Sequence, residues 1–391
     1  MDISVFLEPV PEKCFSNEVR PGKLPYSETL TIYRNESSFP NLNGVHLALV
    51  GVKDERGVVD NKGCSDGVDY IRKAFYSLFD HHSELNIVDV GNVKSGKDVN
   101  DTYYAANQVL TELFKHNIVP IIIGAGQDIT FPMYQVYEPT GKLVNITAID
   151  SMFDLGNDRE TLNSRSYLSH IILHQPNFLF NYTNIGYQSY YVSASNVDLM
   201  KQLLFEAYRL GSVKNIDLTE PLIRNANILT FDIASVRAAD APGVKNASPN
   251  GFSGEDVCRM ARYAGLSYKL SSIGFFEYNP HYDINSRTAY LIAEMIWYFI
   301  EGFTLRTNDI PKESIMDDFT RYLVQIDEWQ ESLVFLCHKY TGKWWMDITI
   351  NNDELRLPPR HHYIPCSKED YDLAMHNELP DKWWQFYQKL M

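Results

Sequence analysis

The 391-residue sequence has few cysteines and little positive charge. Its five cysteines are scattered and never occur in CxxC spacing, which argues against a zinc framework and a disulfide scaffold and fits a reducing compartment. Lys and Arg number 35 against 50 Asp and Glu, so the formal net charge is −15. Nucleic acids and anionic membranes bind to basic patches, and this charge balance therefore argues against both as partners.

Long apolar runs and a secretion signal are also absent. The N-terminus has no basic stretch followed by an apolar one, and the most apolar helical stretch, 289–303, is interrupted by Glu294 and Glu301. The sequence also lacks a GxSxG elbow, a P-loop and a dinucleotide fingerprint. These absences predict a cytoplasmic protein and exclude several common catalytic classes.

The sequence does contain a regular alternation of apolar strands and amphipathic helices between residues 45 and 304. Strands are predicted at 46–52, 85–90, 120–123, 143–149, 184–191, 228–233 and 270–276. Helices are predicted at 68–79, 100–116, 129–137, 162–174, 196–210, 255–263 and 287–303. Continuously apolar strands separated by helices are typical of a mostly parallel sheet covered on both faces, so we expect a three-layer α/β/α domain.

Two segments of different composition flank this domain. Residues 1–44 are rich in Pro, Asn and Ser and are predicted to wrap the domain. Residues 305–391 mix polar and aromatic residues and are predicted to form a C-terminal α+β extension. Its Trp344-Trp345 and Trp383-Trp384 pairs are typical of packing, with a surface for a protein partner as the alternative. A homo-oligomer is also left open.

Acidic residues stand at the ends of several predicted strands. Asp150 and Asp154 follow strand 143–149, Asp232 ends the apolar run that begins at 228, and Glu277 follows strand 270–276. In open α/β proteins, ligands are held at the carboxyl ends of the strands, and clustered carboxylates suit a hard cation. The sequence therefore predicts one pocket where these strand ends converge.

The order and spacing of these stretches resemble the ureohydrolases, which are the arginases, agmatinases and formimidoylglutamases. The likeness covers roughly residues 45–303 and rests on four motifs. The family's G-G-x-H is 124–127 here, D-A-H-x-D is 150–154, S-x-D-x-D-x-x-D-P-x-x-A-P-G is 230–243, and E-x-N-P is 277–280. In that family two Mn²⁺ ions activate water for attack on a guanidine or amidine carbon. The resemblance implies an arginase-type fold and a hydrolase of linear amidines such as formimidoylglutamate, agmatine or arginine.

Only half of the family's six metal ligands are present. Three aspartates match: Asp150, Asp154 and Asp232. Gln127 and Met152 replace the two histidines, and Ala234 replaces an aspartate. A glutamine offers a weaker hard ligand, a thioether is too soft for Mn²⁺, and alanine offers none. The resemblance therefore implies at most one Mn²⁺ or Mg²⁺, bound by the three aspartates and Gln127, and not a full dinuclear centre.

The resemblance also implies roles for residues around the ligands. Glu277 would pair with the cationic end of a substrate and, with Asp154, would take part in catalysis; the alternative for Glu277 is a buried glutamate paired with a local Arg or Tyr. Asn163, Ser164 and Arg165 stand where the family's substrate-specificity loop follows the metal motif. They are equally consistent with the polar N-terminus of a helix.

Three clustered carboxylates require a compensating positive charge. The family's Asp-Pro dipeptide is replaced by Arg237-Ala238, so Arg237 could supply a guanidinium in place of a missing metal; Arg159 and Arg165 are further candidates. A single retained cation is the alternative. Two functions remain open, an amidine hydrolase with an altered site and a non-catalytic relative that binds a partner. The lost ligands favour the second.

Overall fold

Ten strands form one central sheet in this computed structural model, and four more form a second sheet near the C-terminus. The structure describes residues 1–15, 24–156, 160–213, 215–327, 332–348 and 362–390. The strands are β1 Leu7–Glu8, β2 Thr31–Ile32, β3 Leu47–Val52, β4 Ile87–Val93, β5 Val119–Gly124, β6 Val144–Ile149, β7 Leu179–Tyr187, β8 Glu206–Arg209, β9 Ile228–Asp232, β10 Ser272–Phe276, β11 Phe319–Val324, β12 Leu333–His338, β13 Trp344–Asp347 and β14 Tyr363–Cys366.

Eleven α-helices are present in the described residues, together with short 3-10 turns. They are α1 Tyr26–Thr29, α2 Gly67–Tyr76, α3 Val99–Lys115, α4 Thr130–Gln135, α5 Tyr167–Leu173, α6 Ala194–Gln202, α7 Glu220–Arg224, α8 Gly254–Leu266, α9 Arg287–Thr304, α10 Lys368–Met375 and α11 Asp381–Leu390. Several begin at side-chain caps; Asp98, for example, accepts hydrogen bonds from the first-turn amides of α3 and forms a capping box with Asp101.

The central sheet has the strand order β1-β4-β3-β5-β10-β9-β6-β7-β8, with β2 also paired to β4. Among the described strands all its pairings are parallel except that of β1 with β4. β1 and β2 come from the predicted wrapping segment, so the described part of residues 1–44 adds two short strands to one side of the sheet.

Helices cover both faces of the sheet. Alternate residues of each strand point to opposite faces, and in β3 Leu47 and Leu49 pack with α2, α8 and α9, whereas Ala48 and Val50 pack with α3 and α4. Both clusters are buried hydrophobic cores. The predicted three-layer α/β/α architecture is therefore confirmed. None of the described helices is both long and apolar enough to cross a membrane.

The predicted boundaries were wrong around β7 and β8. The helix expected at 196–210 ends at Gln202, and residues 206–209 form an edge strand. The expected strand 184–191 begins instead at Leu179. Both strands carry buried polar residues that hide the apolar pattern: Glu206 accepts hydrogen bonds from Asn181 (2.6 Å) and Thr183 (3.0 Å). This pairing satisfies the polar groups across the two strands, which no local pattern reveals.

The C-terminal extension is an antiparallel sheet, β11-β12-β13-β14, that packs with α10 and α11 around its own core. It joins the main domain through Arg224 of α7. The Arg224 guanidinium donates to the carbonyls of Trp344 (3.1 Å) and Cys366 (3.3 Å) and stacks over the Trp345 ring at 4.6 Å. The packing predicted for the tryptophan pairs holds for Trp345 and Trp383, which are both buried.

Candidate metal centre

The candidate centre lies where four neighbouring strands of the sheet end. β5, β10, β9 and β6 are adjacent and parallel, so their carboxyl ends lie at one edge. Asp232 is the last residue of β9, Asp150 directly follows β6, Glu277 directly follows β10, and Gln127 follows β5 after a two-residue turn. The structure thus brings together residues that are up to 150 positions apart in the chain.

Three aspartates form the centre of the site. Asp150, Asp154 and Asp232 are buried, and one carboxylate oxygen from each lies within 4.8 Å of the other two. Asp150 Oδ1 accepts from the Met152 amide (2.9 Å), and Asp232 Oδ1 accepts from the Ala234 amide (2.7 Å). Met152 and Ala234 therefore serve the site through their backbone N–H groups, which orient the aspartates.

Four buried oxygen atoms of the site have no hydrogen-bond donor in the part of the chain that the structure describes. They are Asp150 Oδ2, Asp154 Oδ2, Asp232 Oδ2 and Gln127 Oε1. The other end of the Gln127 side chain is held, since its Nε2 donates to Thr230 Oγ1 at 3.0 Å. Buried polar atoms without partners are costly, and carboxylate and amide oxygens are the ligands that Mg²⁺ and Mn²⁺ prefer. The donor set therefore fits one hard divalent cation.

A single guanidinium, that of Arg165, reaches this cluster within the described ranges. Arg165 Nη1 lies 3.3 Å from Asp154 Oδ1, and the Arg165 side chain is 28% exposed. Arg237 does not take the position proposed for it. Its Nε pairs with Asp240 at 2.8 Å, and the Arg237 side chain is 46% exposed. Arg159 lies outside the described residues.

The electrostatics of the cluster show a shortage of positive charge. Burial raises the pKa of Asp150 well above its usual value, and the neighbouring Asp154 and Asp232 raise it further. Burial also raises the pKa of Asp232 to about 6, although Arg165 opposes the shift. The pKa of Glu277 rises to about 8, again mainly through burial. One arginine does not balance these acids, which a divalent cation would do.

Glu277 is held rigidly at the edge of the cluster. Its Oε2 accepts from Asn61 Nδ2 at 2.9 Å and its Oε1 from the Gln127 amide at 3.3 Å. The partner of Glu277 is thus Asn61, 216 positions away in the chain, and not the local Arg or Tyr expected for a purely structural glutamate. Glu277 (φ 66°) and Asp154 (φ 51°) both adopt left-handed backbone conformations. Such strained positions in non-glycine residues concentrate at functional sites.

Of the three loop residues proposed to contact a substrate, only Arg165 reaches the carboxylates. Asn163 Oδ1 accepts from the Arg165 amide (2.8 Å), while Ser164 Oγ accepts from the Val59 amide (3.1 Å). These side chains shape the loop that precedes α5 and tie it to the loop after β3. The arrangement agrees with the interpretation of residues 163–165 as the polar N-terminus of a helix.

Comparison with known proteins agrees with this geometry. Residues 45–301 match the sequence profile of the arginase family. A formimidoylglutamase from Staphylococcus aureus (strain MSSA476) is 26% identical over 305 residues, which are 73% of this chain and 95% of the relative. A Trypanosoma cruzi formiminoglutamase determined with Mn²⁺ superposes with a TM-score of 0.66 at 18% identity, over 73% of this chain and all of that one. The Bacillus subtilis formimidoylglutamase gives 0.66 at 15% identity, over 74% of this chain and 95% of that one. At these identities the solved structures establish a shared fold.

Proposed function

Because the chain belongs to the arginase family, we propose that it is a formimidoylglutamase-like relative whose pocket binds one hard divalent cation and has lost two-metal hydrolysis. The observation that supports this proposal is the set of four buried, unpartnered oxygens beside two ligand positions that carry Met152 and Ala234. Four oxygens suffice for one cation with additional water ligands. They do not suffice for two.

The residues that would hold the cation are the three aspartates, through their Oδ2 atoms, and Gln127 through Oε1. A cation bound there would neutralise the carboxylates and polarise an oxygen or nitrogen of a bound ligand. The Met152 and Ala234 amides hold the other oxygen, Oδ1, of Asp150 and of Asp232. Arg165 would remain beside Asp154 as a fixed positive charge.

The remaining groups suit binding of an amidine better than its cleavage. Glu277 is buried and oriented by Asn61 and by the Gln127 amide, so it would pair with a cationic amidinium group. No second ligand set is available in the described residues to activate an attacking water as the family does. The proposed activity is therefore binding of a linear amidine such as formimidoylglutamate with little or no turnover, in a protein that acts through binding.

Metal content and turnover together test the proposal. Purified protein should contain at most one equivalent of Mn, Mg, Zn or Fe by elemental analysis. It should release neither formamide nor urea from formimidoylglutamate, agmatine or arginine at a rate that depends on Asp232, with Asp232→Asn as the matched control. Two equivalents of metal in the wild-type chain would contradict the single-cation site. Turnover that disappears in Asp232→Asn would show that the site is an active hydrolase.

Restoring the missing ligands provides the complementary experiment. The triple variant Gln127→His, Met152→His, Ala234→Asp recreates the family's ligand types at the three positions. We expect it to bind a second equivalent of Mn²⁺ that the wild-type chain does not bind. A triple variant that folds, as judged by circular dichroism, and still binds only one equivalent would mean that the three substitutions are not what limits the site.

A further inference from the structure

A groove runs along the seam between the main domain and the C-terminal extension, towards the end of β9 opposite the carboxylate cluster. α7, one wall of the groove, leads into the amino end of β9, whereas Asp232 stands at the carboxyl end of that strand. The groove consists of three cavities of about 460, 430 and 410 Å³. The first shares Leu218, Pro221 and Glu369 with the second, and Tyr208, Asp381 and Lys382 with the third. The three are therefore continuous.

The floor of the seam groove is apolar and comes from both sides of the seam. The main domain contributes Val213, Pro221 and Leu222, and the extension contributes Leu373 and Leu379. Leu373 is 43% exposed. Exposed apolar surface that is rimmed by polar residues marks interaction sites. An apolar floor with a charged rim suits an amphipathic segment of chain.

The rim of the seam groove carries unpaired negative charge. Three of its acidic residues have neither an ion pair nor a side-chain hydrogen bond within the described ranges: Glu369, Glu378 and Asp381. Most of the basic residues that line the groove are already paired: Lys201 with Asp198, Arg224 with Glu220, Lys343 with Asp309 and Lys368 with Asp372. The groove is thus left with three free carboxylates, in a chain of net charge −15, and is complementary to a basic partner.

One basic residue of the seam groove is unpaired and buried. Lys382 is only 8% exposed, lines two of the three cavities, and has no hydrogen bond or ion pair with any residue that the structure describes. Its ammonium therefore has donors available for an acceptor outside these residues. A main-chain carbonyl of a docked segment would supply that acceptor, which a partner offering only basic side chains would not.

We propose that the seam groove binds a short peptide segment of a partner protein, with apolar residues on one face and Lys or Arg beside them. The apolar residues would lie on the floor, the basic side chains would pair with Glu369, Glu378 and Asp381, and a backbone carbonyl would accept from Lys382. The groove and the metal centre share no residue, so this partner site stands independently of the function proposed for the centre.

Fluorescence anisotropy with a labelled amphipathic Leu/Lys peptide of about 18 residues tests the proposal on the full-length chain. The groove variant Glu369→Gln, Glu378→Gln, Asp381→Asn should weaken binding at least tenfold. The matched control Glu28→Gln, Glu36→Gln, Glu84→Gln removes the same charge from exposed positions elsewhere and should change binding less than twofold. Leu373→Ser should also weaken binding, because it removes exposed apolar floor without changing charge.

Three results would overturn the proposal. Equal weakening by the groove and control variants would mean that the peptide responds only to net charge. Equal binding of a Leu/Glu peptide would remove the argument from charge complementarity. A change of oligomeric state in the groove variant without peptide, measured by light scattering, would identify a second copy of this chain as the occupant. Thermal unfolding of each variant verifies that the substitutions at exposed positions leave the fold intact.

Discussion

At the scale of single residues, the notable feature of this centre is Arg165, which places a guanidinium beside Asp154. Its guanidinium contacts Asp154, and the carboxylates of Asp154, Asp232, Glu277 and Asp150 together outweigh the effect of burial and raise its pKa. The side chain therefore stays charged at any physiological pH. A fixed cation beside the ligands both stabilises the chain without metal and repels a metal that binds next to it.

Arg165→Met should have opposite effects on the metal-free and metal-bound chain. Without divalent cations its melting temperature should fall, because Asp154 loses its only ion pair in the described residues. Mn²⁺ should restore that loss and bind about tenfold more tightly or better, which corresponds to about 1.4 kcal/mol. Thermal shift and isothermal titration calorimetry measure both quantities.

Arg165→Lys is the control for this prediction, since it keeps the charge and should keep the wild-type affinity for Mn²⁺. If Arg165→Met lowers the melting temperature and Mn²⁺ recovers none of it, Arg165 serves packing alone.

The acidic residues of the centre predict an unusual dependence of stability on pH. The pKa of Asp232 is about 6 and that of Glu277 about 8 in the folded chain, both above their usual values. The folded chain therefore holds more protons than the unfolded chain between about pH 4 and pH 8, so its stability should fall as the pH rises through that range. A cation competes with these protons, and the stabilisation by Mn²⁺ should be larger at about pH 8 than at about pH 5.5.

Melting temperatures with and without Mn²⁺ at the two pH values measure this effect. Glu277→Gln should flatten the upper part of the pH dependence, because Glu277, whose pKa is about 8, no longer titrates. A thermal shift by Mn²⁺ that is independent of pH would mean that the cation binds elsewhere.

At the scale of elements, β4 and α2 are joined by a buried ion pair that the apolar pattern does not show. Arg72 Nε donates to Asp89 Oδ2 at 2.8 Å and Arg72 Nη2 to Asp89 Oδ1 at 3.1 Å, and both side chains are inaccessible to solvent. Tyr76 also donates to Asp89, and Arg72 donates to the Gly91 carbonyl. In the described residues every hydrogen-bond partner of the Asp89 carboxylate lies on α2 or in β4, so the network fixes how α2 sits on the sheet.

Arg72→Met should lower the free energy of unfolding by about 3–5 kcal/mol, because it leaves the Asp89 carboxylate buried and unpaired. Urea denaturation measures the change. The double variant Arg72→Met, Asp89→Leu should recover much of the loss, since removing both partners of a buried pair costs far less than removing one. A double variant that is as unstable as the sum of the two single variants would contradict this account.

At the scale of the whole molecule, Trp345 and Arg224 connect the extension to the arginase-type domain. Trp345 is 2% exposed and packs with Phe319 and Leu336, while Arg224 of the main domain lies over its ring. The contact joins a cation–π interaction to two hydrogen bonds with main-chain carbonyls of the extension. Arg224 and Trp344 also line the seam groove.

Trp345→Ala should destabilise the chain by about 3–5 kcal/mol and expose the extension to protease before the main domain unfolds. Trp384→Ala, at a position that is 41% exposed, should cost less than about 1 kcal/mol. Limited proteolysis followed by mass spectrometry of the fragments tests the order of cleavage. Equal sensitivity of the two variants would mean that the buried tryptophan does not hold the extension in place.

The sequence alone determined seven strands of the central sheet, that they lie parallel, and that Asp150, Asp232 and Glu277 stand at strand ends. These features depend on local apolar runs and on the geometry of a parallel sheet, in which the ends of adjacent strands meet. The replacement of three family metal ligands stays a prediction from the motifs of the sequence.

Tertiary structure alone decided which arginine balances the acids, which residue orients Glu277, and where β7 begins. Arg165 and Arg237 are both near ligand motifs, but only the path of the chain turns one inward. Asn61 reaches Glu277 across 216 positions, and Asn181 is satisfied by Glu206 on the neighbouring strand. Local patterns report burial and periodicity, whereas a polar side chain is placed by distant partners that only the folded chain brings within hydrogen-bond distance.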